Sequence, residues 1–314
     1  MSRGSVVVAM SGGVDSSVAA LLLRRAGYDV TGLFMRTGAS PARGSRTCCS
    51  LGDARDAGRV ADLLEIPLYR LDFEAAFSRI VDYFVDEYCS GRTPNPCIAC
   101  NRDLKFGKLL EYADAVGATH VATGHYAGIR RRDGRLAVRR GRDGNKDQSY
   151  VLFPLSQRQL ERTILPLGDM AKSEVREIAR DAGLPVSEKA ESQEICFVPP
   201  GGHGAFIEER GGLTPGPLLD LEGREIGRHA GFEVFTIGQR KGLGKAFGEP
   251  RYVVAIDPAR AAVTVGGRAD LLGREFLVRD WVGGAMPTPE TGEEIEAEVK
   301  VRYRHRAAPA GLRG

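Results

Sequence analysis

Apolar blocks alternate with amphipathic stretches along the first part of the chain, and they predict strands followed by helices. A valine-rich run at 5–10 predicts a strand, and apolar residues at helical spacing from Val14 to Leu22 predict a helix that ends at Gly27. The same criteria predict further strands at 29–35, 68–71 and 120–123, and helices at about 53–64, 74–89 and 103–116. Strands that alternate with helices over short connections are typical of an α/β fold with a doubly wound parallel sheet.

The pattern changes twice further along the chain. Residues 128–142 predict a β-hairpin with Asp133-Gly134 at its turn, and helical spacing returns at about 157–163 and 172–182. After 199–202, glycine and proline become frequent, and short strands are predicted at 252–256, 262–265 and 296–303. We therefore divide the chain into a first domain at 1–202, a small central domain at 203–267 and a C-terminal domain at 268–314.

The composition limits the classes of protein to which this chain can belong. Its 314 residues, 42% of them apolar, are enough for two or three packed units. Lys and Arg total 44 against 41 Asp and Glu, which excludes a histone-like excess of positive charge. No apolar run approaches the roughly 20 residues of a membrane span, and no secretory signal is recognisable, so we expect a cytoplasmic protein with no membrane partner. Stable disulfides are rare in the cytoplasm, so the six cysteines are candidates for buried packing, metal binding or redox chemistry.

A glycine-rich loop lies between the first strand and the first helix. It runs from Ser11 to Ser17 with the sequence Ser-Gly-Gly-Val-Asp-Ser-Ser. Backbone N–H groups at a helix start bind anions, and glycines allow phosphate oxygens to approach. The alternative is an ordinary turn capped by Ser11 or Asp15. The loop resembles the PP-loop of ATP pyrophosphatases, which split ATP between its α and β phosphates; the resemblance implies adenylation, with Asp15 as a candidate for holding magnesium.

Two cysteine motifs carry further candidate chemistry. Cys97 and Cys100 form a Cys-x-x-Cys in a proline-stiffened turn, and a helix start there lowers the pKa of a thiol from about 8.5. The alternatives are packed thiols or half of a structural zinc site, for which the adjacent Cys48-Cys49 pair is a poor second half. Cys196 lies between Ile and Phe, so its local sequence alone favours a packed core thiol.

Six segments in order make the chain resemble the tRNA-specific 2-thiouridylases of the MnmA type. They are the glycine-rich loop, 91–101 with 104–106, 123–127, 146–150, 192–197 with Ile-Cys-Phe at its core, and 235–244. The resemblance implies a PP-loop (adenine nucleotide α-hydrolase-like) domain, a small central domain and a C-terminal β-barrel. The family continues through further barrel strands after the segment that matches Arg302 and Tyr303, so we expect an incomplete barrel here.

The resemblance also implies an activity: ATP adenylates the C2 oxygen of the wobble uridine of tRNA, and persulfide sulfur replaces that oxygen to give 2-thiouridine. Cys196 is the implied persulfide carrier and Cys100 the second nucleophile. Cys97 stands where many family members have Asp, which argues against a carboxylate proton shuttle. The implied ATP contacts are Ala9, Met10, Ser11, Gly12, Gly13, Val14, Asp15, Ser16, Met35 and Gly124. The implied tRNA contacts are Asn95, Pro96, Cys97, Lys146, Asp147, Gln148, Arg302 and Tyr303.

The implied cofactors and partners are ATP with magnesium, tRNA, and a persulfide donor that is a cysteine desulfurase or a sulfur-relay protein. Cys97, Cys100 and Cys196 together are also the donor set of an iron–sulfur cluster with one open site, which remains an alternative. Seven arginines within 130–142 suit either phosphate contacts or a solvated hairpin face. Two other functions stay open: a different PP-loop adenylating ligase, and a non-catalytic tRNA-binding relic.

Overall fold

The computed structural model describes residues 3–38, 50–191, 195–199, 202–286, 288–303 and 305–314. The strands of the described residues are β1 Ser5–Ala9, β2 Asp29–Arg36, β3 Leu68–Asp72, β4 His120–Ala122, β5 Ala127–Arg132, β6 Arg135–Arg140, β7 Thr163–Ile164, β8 Gly216–Leu219, β9 Glu225–His229, β10 Tyr252–Asp257, β11 Ala262–Gly266, β12 Glu294–Val299 and β13 Ala308–Arg313. The α-helices are α1 Val14–Arg25, α2 Leu51–Leu63, α3 Glu74–Cys89, α4 Pro96–Ala99, α5 Leu109–Ala115, α6 Gln157–Glu161, α7 Lys172–Asp181 and α8 His203–Gly211.

A parallel sheet with strand order β3-β2-β1-β4-β7 forms the centre of the first domain. Val6 and Val8 of β1 pack into an apolar cluster with α1, α2 and α7, whereas Val7 packs into a second cluster with α5 on the opposite face. A strand that is buried on both faces reads as a continuous apolar run, which explains the valine-rich start of the chain. The predicted doubly wound parallel sheet is confirmed.

Most of the predicted elements of this domain are confirmed, with two corrections. Helix α3 has the predicted bounds of 74–89, and α1 ends two residues before Gly27, whose φ is +86°. The predicted helix at 157–163 is too long, because α6 ends at Glu161 and Thr163 begins the edge strand β7. A strand of two residues has no room for a period-2 pattern, so the sequence offered no signal for it.

The predicted helix at 103–116 is also misplaced. The chain is already helical from Pro96, continues as a π-helix over Cys100–Lys108, and returns to α-helix in α5. At the join, the N–H of Leu109 donates to the carbonyl of Leu104, five residues earlier. This wider turn rotates the following side chains relative to a regular α-helix, which breaks the 3.6-residue spacing on which the prediction rested.

The central part of the chain forms a second sheet with order β10-β11-β8-β9, in which β8 and β11 run parallel and the other pairs antiparallel. The strands predicted at 252–256 and 262–265 are confirmed as β10 and β11. Helix α8 does not join this sheet's core; its Phe206 and Ile207 pack with α3 of the first domain.

The predicted strand at 296–303 is wrong at its end. Strand β12 ends at Val299 and pairs antiparallel with β13, and Arg302 and Tyr303 lie in the connection between them. The alternating apolar and basic residues suggested one continuous strand, but Arg302 and Tyr303 make no strand pairing and instead form the long-range contacts described below. Among the described residues β12 and β13 join no other strand, so no closed barrel is present there. Among all the residues that the structure describes, no helix is long and apolar enough to cross a membrane.

Candidate active site

The glycine-rich loop folds back on the first turn of α1 through its serines. The backbone N–H of Ser11 donates to Oγ of Ser16 at 3.2 Å, and the hydroxyls of Ser16 and Ser17 donate to the carbonyl of Gly13 at 3.2 and 2.8 Å. Gly13 is the N-cap of α1 and supplies no side-chain cap. The first-turn N–H groups therefore have no capping side chain at their N-cap, which is the arrangement that binds a phosphate.

Two glycines allow backbone segments to approach this loop closely. Gly12 has a φ of +71°, and a Cβ atom there would lie 2.1 Å from the carbonyl oxygen of Asp53. Gly124, just after β4, lies against the loop from the other side, and its Cβ would be 2.6 Å from the carbonyl carbon of Asp15 and 2.7 Å from the nitrogen of Ser16. Only glycine fits at either position without moving the loop.

Asp15 is surrounded by groups from distant parts of the chain. Its carboxylate accepts hydrogen bonds from the ammonium of Lys172 at 2.7 and 2.8 Å and from the hydroxyl of Tyr126 at 2.7 Å. The Lys172 ammonium also lies 5.6 Å from the centre of the Tyr126 ring. Burial, followed by the charge of Asp15, raises the pKa of Tyr126 far above its ordinary value, so this phenol stays protonated and donates.

A second carboxylate, Glu191, lies on the other side of Lys172. It contacts Lys146 at 2.6 Å, Lys172 at 3.3 Å and Arg176 at 3.5 Å. Burial alone would raise the pKa of Glu191, but the hydrogen bond from Lys146 and the charge of Lys172 outweigh it and hold the pKa below its ordinary value. Glu191 is thus an ionised link between the Asp15–Lys172 pair and Lys146.

Lys189 connects the same stretch of chain to the loop directly. Its ammonium donates to the carbonyl of Gly12 at 2.9 Å and to the carboxylates of Asp53 and Asp56 at 2.7 and 2.6 Å. Burial opposes the charged form, but the hydrogen bonds with the two aspartates dominate and raise the pKa of Lys189. The stretch 189–191 is therefore attached to the phosphate loop, and Cys196 follows five residues after Glu191.

The Cys-x-x-Cys motif lies at the start of α4. The side-chain oxygen of Asn95 accepts the N–H of Cys97 at 3.2 Å, and Pro96 occupies the first helical position, where its missing N–H is no loss. Cys97 is exposed, whereas Cys100 is half-buried and begins the π-helical segment. The sequence thus places one thiol at the surface and the other toward the interior.

The structure brings Cys100 and Cys196 to one apolar cluster. Both half-buried thiols pack against it, and so does Met35 near the end of β2. The cluster itself consists of Phe77, Ile80, Val81, Phe84, Tyr88, Leu104, Phe206 and Ile207. Residues 192–194 of the segment around Cys196, and Cys48 and Cys49, lie outside the described residues. Cys89 packs against the same cluster, and burial raises the pKa of its thiol.

The described residues do not provide a metal site for these thiols. No group of three or more His, Cys, Asp or Glu side chains among them is arranged to hold a metal ion. Cys97, Cys100 and Cys196, all described, therefore do not fit the three-cysteine donor set of an iron–sulfur cluster, nor do the described cysteines fit the four ligands of structural zinc.

The residues of the 146–148 segment are engaged within the protein. Lys146 pairs with Glu191, and the side chain of Asp147 accepts the N–H groups of Gly141 and Ser149 at 3.0 and 3.1 Å. Gln148 exchanges hydrogen bonds of 2.9 Å with the backbone of Tyr126 through both its side chain and its N–H group. The segment therefore braces the end of the hairpin against the loop that carries Tyr126.

Several arginines of the hairpin are also engaged in contacts within the protein. Arg139 pairs with Asp169 at 2.5 Å, and Arg142 pairs with Glu174. Arg135 donates to the carbonyls of Gly283 and Gly284, at 2.9 and 3.0 Å. These contacts leave fewer of the seven guanidinium groups for phosphate than the sequence suggested.

Arg302 and Tyr303 contact two other family segments. The guanidinium of Arg302 donates to the carbonyl of Ile237 at 2.8 Å, in the 235–244 segment. The ring of Tyr303 lies 6.0 Å, centre to centre, from the ring of Tyr150, in the 146–150 segment. Segments that are far apart in the sequence thus meet at one surface.

Comparison with known proteins assigns this arrangement to a family. A profile described as the tRNA methyl transferase HUP domain matches residues 4–200, and one described as the tRNA methyl transferase PRC-barrel domain matches residues 204–267. The chain is 48% identical over 320 residues to the tRNA-specific 2-thiouridylase MnmA of Pelotomaculum thermopropionicum, a match that covers 99% of this chain and 87% of the relative. This chain belongs to the MnmA family.

Other relatives of this MnmA-family chain agree. It is 50% identical over 317 residues to the tRNA-specific 2-thiouridylase MnmA of Moorella thermoacetica, covering 97% of this chain and 86% of the relative. Among solved structures, a 4-thiouridine synthetase–RNA complex with bound ATP is 21% identical with a TM-score of 0.43, covering 66% of this chain and 49% of the other. That structural likeness is too low to add to the assignment.

Sequence reasoning missed Lys172 and Lys189 in this MnmA-family site. One signal was present for Lys172, because a lysine at the first position of a helix opposes the helix dipole and needs a compensating partner. That partner, Asp15, is 157 residues away, so the local sequence could single out the lysine but could not identify the carboxylate that it contacts. Lys189 lies in a turn region, where a lysine is unremarkable.

Proposed function

We propose that this chain is a tRNA-uridine 2-sulfurtransferase. It uses ATP to activate C2 of the wobble uridine and replaces the C2 oxygen with persulfide sulfur. The observation that carries the proposal is that Cys100, Cys196 and Met35 all pack against one apolar cluster. Met35 is on β2, the strand next to β1, which leads into the phosphate loop. Membership of the MnmA family supports the same activity.

ATP binds at the carboxyl end of β1 in this proposal, as expected at the switch point of a doubly wound sheet. Its phosphates contact the backbone of 9–16, with the N–H groups at the start of α1 as donors. Met35 contacts the nucleotide from the end of β2, and Gly124, which packs closely against the other side of the loop, contacts it from the end of β4. The serines of the loop hold it in the receptive conformation before ATP arrives.

Asp15 is the residue that would hold magnesium. One carboxylate with substrate phosphates is a usual magnesium donor set, so the loop fits the ion, although Lys172 now occupies the carboxylate. Magnesium bound with ATP neutralises phosphate charge. Lys172 lies within reach of the same region and contributes a second positive charge there.

The first chemical step makes the C2 oxygen a leaving group. The uridine oxygen attacks the α-phosphorus of ATP, the bond to the β-phosphate breaks, and pyrophosphate leaves with the electron pair. The N–H groups of the loop stabilise the charge that develops on the phosphates. The product is a uridine that carries AMP on its C2 oxygen.

The second step transfers sulfur. Cys196 carries a terminal sulfur received from a persulfide donor, a cysteine desulfurase or a sulfur-relay protein, and that sulfur attacks C2. The Cys100 thiolate then attacks Sγ of Cys196, the persulfide S–S bond breaks, and the C2–O bond releases AMP. A Cys100–Cys196 disulfide remains, and a thiol reductant restores both thiols before the next transfer.

The proposed tRNA contacts are those that the family resemblance implies. Asn95, Pro96 and Cys97 lie next to the target base, which leaves its stack to reach the thiols. Lys146, Asp147 and Gln148 shape the adjoining surface, and Arg302 and Tyr303 contact tRNA from the C-terminal part. Because Cys97 is a thiol, no side-chain carboxylate shuttles protons at that position.

The deciding experiment combines product analysis with the two thiol variants. Purified protein is incubated with ATP, magnesium, a persulfide source and unmodified tRNA, and the tRNA nucleosides are tested for 2-thiouridine while AMP is measured. Wild type is compared with Cys100→Ser and Cys196→Ser, with Cys89→Ser as the matched control thiol. We expect 2-thiouridine from wild type and from Cys89→Ser, and none from the other two variants.

The other results are equally informative. AMP release without 2-thiouridine from wild type would retain adenylation and overturn the persulfide step. Methylated nucleosides, or neither AMP nor 2-thiouridine from a protein that still binds tRNA, would overturn the proposed activity.

A further inference from the structure

Two tyrosines from distant parts of the chain form one aromatic surface. The rings of Tyr150 and Tyr303 lie 6.0 Å apart, centre to centre, with 56° between their planes. Tyr303 is 47% exposed and Tyr150 is half-buried, so the pair is accessible from solvent. Burial, opposed in part by the charge of Arg302, raises the pKa of Tyr150, so the ring of Tyr150 is a neutral phenol near pH 7.

A lysine completes this surface. The ammonium of Lys300 lies 5.8 Å from the centre of the Tyr150 ring and 5.3 Å from that of Tyr303, within the distance of a cation–π contact. Arg302 adds a second positive charge and is held in place by the carbonyl of Ile237. We call Tyr150, Lys300 and Tyr303 the aromatic platform.

No carboxylate of the described residues neutralises the charge at the platform. Within the described part of the chain, neither Lys300 nor Arg302 forms an ion pair, in contrast to Arg139 and Arg142 of the hairpin. Exposed aromatic rings beside uncompensated positive charge are the features on which nucleic acid bases stack while their phosphates contact cations. An acidic protein partner would use the charge but would not need two accessible rings.

We propose that Tyr150 and Lys300 form, with Tyr303, a platform on which an unpaired base of the tRNA stacks. The inference rests on the proposed function and extends it, because neither Tyr150 nor Lys300 belongs to the tRNA contacts that the family resemblance implies. Tyr150 supplies a stacking face, and Lys300 holds the adjoining phosphate. The platform binds single-stranded nucleotides and does not recognise a paired helix.

The test compares RNA affinity across matched variants. Dissociation constants for unmodified tRNA, and for an RNA duplex of similar length without unpaired bases, are measured for wild type, Tyr150→Ala, Tyr150→Phe and Lys300→Ala. Tyr83→Ala is the control, because Tyr83 is 41% exposed on α3, outside the platform. Thermal unfolding of each variant establishes that it is folded, and Lys300→Ala provides a surface variant if Tyr150→Ala does not fold.

We expect Tyr150→Ala to weaken tRNA binding about five- to a hundredfold, the range for loss of one base stack. Tyr150→Phe keeps the ring and stays within about twofold of wild type, because stacking needs no hydroxyl. Lys300→Ala reduces the salt dependence of tRNA binding by about one phosphate contact. Duplex binding is unchanged in Tyr150→Ala, and Tyr83→Ala binds tRNA like wild type.

Unchanged tRNA affinity in Tyr150→Ala and Lys300→Ala, in a protein that still makes 2-thiouridine, would overturn the platform and leave the proposed function intact. An equal loss on tRNA and duplex would likewise overturn it. If Tyr150→Ala keeps its tRNA affinity but no longer accepts sulfur from a donor protein, the surface serves a protein partner. Wild type that neither binds nor thiolates tRNA would instead overturn the proposed function.

Discussion

The ammonium of Lys172 lies between both carboxylate oxygens of Asp15, at 2.7 and 2.8 Å. Lys172 begins α7 and Asp15 is in the first turn of α1, so the pair joins two helix starts across 157 residues of sequence. The Lys172 side chain is only 10% exposed, and its second neighbour is Glu191. One lysine thus connects the phosphate loop to the stretch of chain that leads to Cys196.

Removing the Lys172 charge is expected to destabilise the fold. Lys172→Met leaves the carboxylates of Asp15 and Glu191 without this cation, and we expect a loss of about 3 kcal/mol in the free energy of unfolding. This is the low end of the range for a broken buried pair, because Asp15 is one-third exposed. Urea denaturation measures the change. Lys108→Met, which removes a surface pair with Glu111, serves as control and costs less than about 1 kcal/mol. Equal effects of the two substitutions would contradict the buried role.

Glu191 is expected to be a positioning residue that couples the use of ATP to the transfer of sulfur. Glu191→Gln loses its ionic contacts with Lys146, Lys172 and Arg176 while the phosphate loop itself is unaltered. We expect 2-thiouridine formed per AMP to fall about tenfold or more, because small displacements of a reacting group are costly, with little change in the KM for ATP. The control is Glu188→Gln, whose exposed pair with Arg180 lies outside the site. A parallel fall of AMP and 2-thiouridine would mean that Glu191 is only structural.

Gly124 is expected to be essential for nucleotide binding. In Gly124→Ala the new Cβ would lie 2.6–2.7 Å from the backbone of Asp15 and Ser16, so the phosphate loop must shift. We expect ATP affinity, measured by calorimetry, to fall at least about tenfold, which corresponds to about 1.4 kcal/mol. Gly144→Ala has no atom within 4 Å of the added Cβ and should bind ATP like wild type. Wild-type affinity in Gly124→Ala would place the nucleotide elsewhere.

His125 is expected to make stability fall at mildly acidic pH. It is buried, its Nδ1 lies 2.7 Å from the hydroxyl of Thr123, and burial, followed by the charge of Lys105, holds its pKa well below 6.5. Below about pH 6.5 the unfolded chain binds a proton at this residue that the folded protein does not, so the free energy of unfolding decreases as the pH falls.

The measurement compares wild type with His125→Gln between pH 7.5 and 5.5. One such histidine accounts for about 1.4 kcal/mol over this interval, and the variant should lose that much less than wild type. Burial also lowers the pKa values of His120, His203 and His229, so the variant keeps part of the slope. Identical pH profiles would show that His125 takes up a proton as readily in the folded protein as in the unfolded chain.

Local patterns in the amino-acid sequence were enough for most of the first domain. The spacing of apolar residues that predicts β1, α1 and α3 is visible within each segment. The glycine-rich loop between β1 and α1 is likewise recognisable from its own few residues. The motifs that match the family likewise depend on residues close together in the chain. Fold class, phosphate loop and candidate thiols could therefore be predicted before any coordinates were known.

The contacts that assemble the site could not be predicted, because they join positions with no local relationship. The Asp15–Lys172 pair, the attachment of Lys189 to Gly12, and the meeting of Tyr150 with Tyr303 depend on how α7, the stretch after it and the C-terminal connection pack on the sheet. Strand β12 likewise ends at Val299 although the alternating pattern favours a longer strand, and Tyr303, beyond its end, contacts Tyr150. Periodicity reports which face of an element is buried, whereas the partner of a buried charge or ring is decided by tertiary packing.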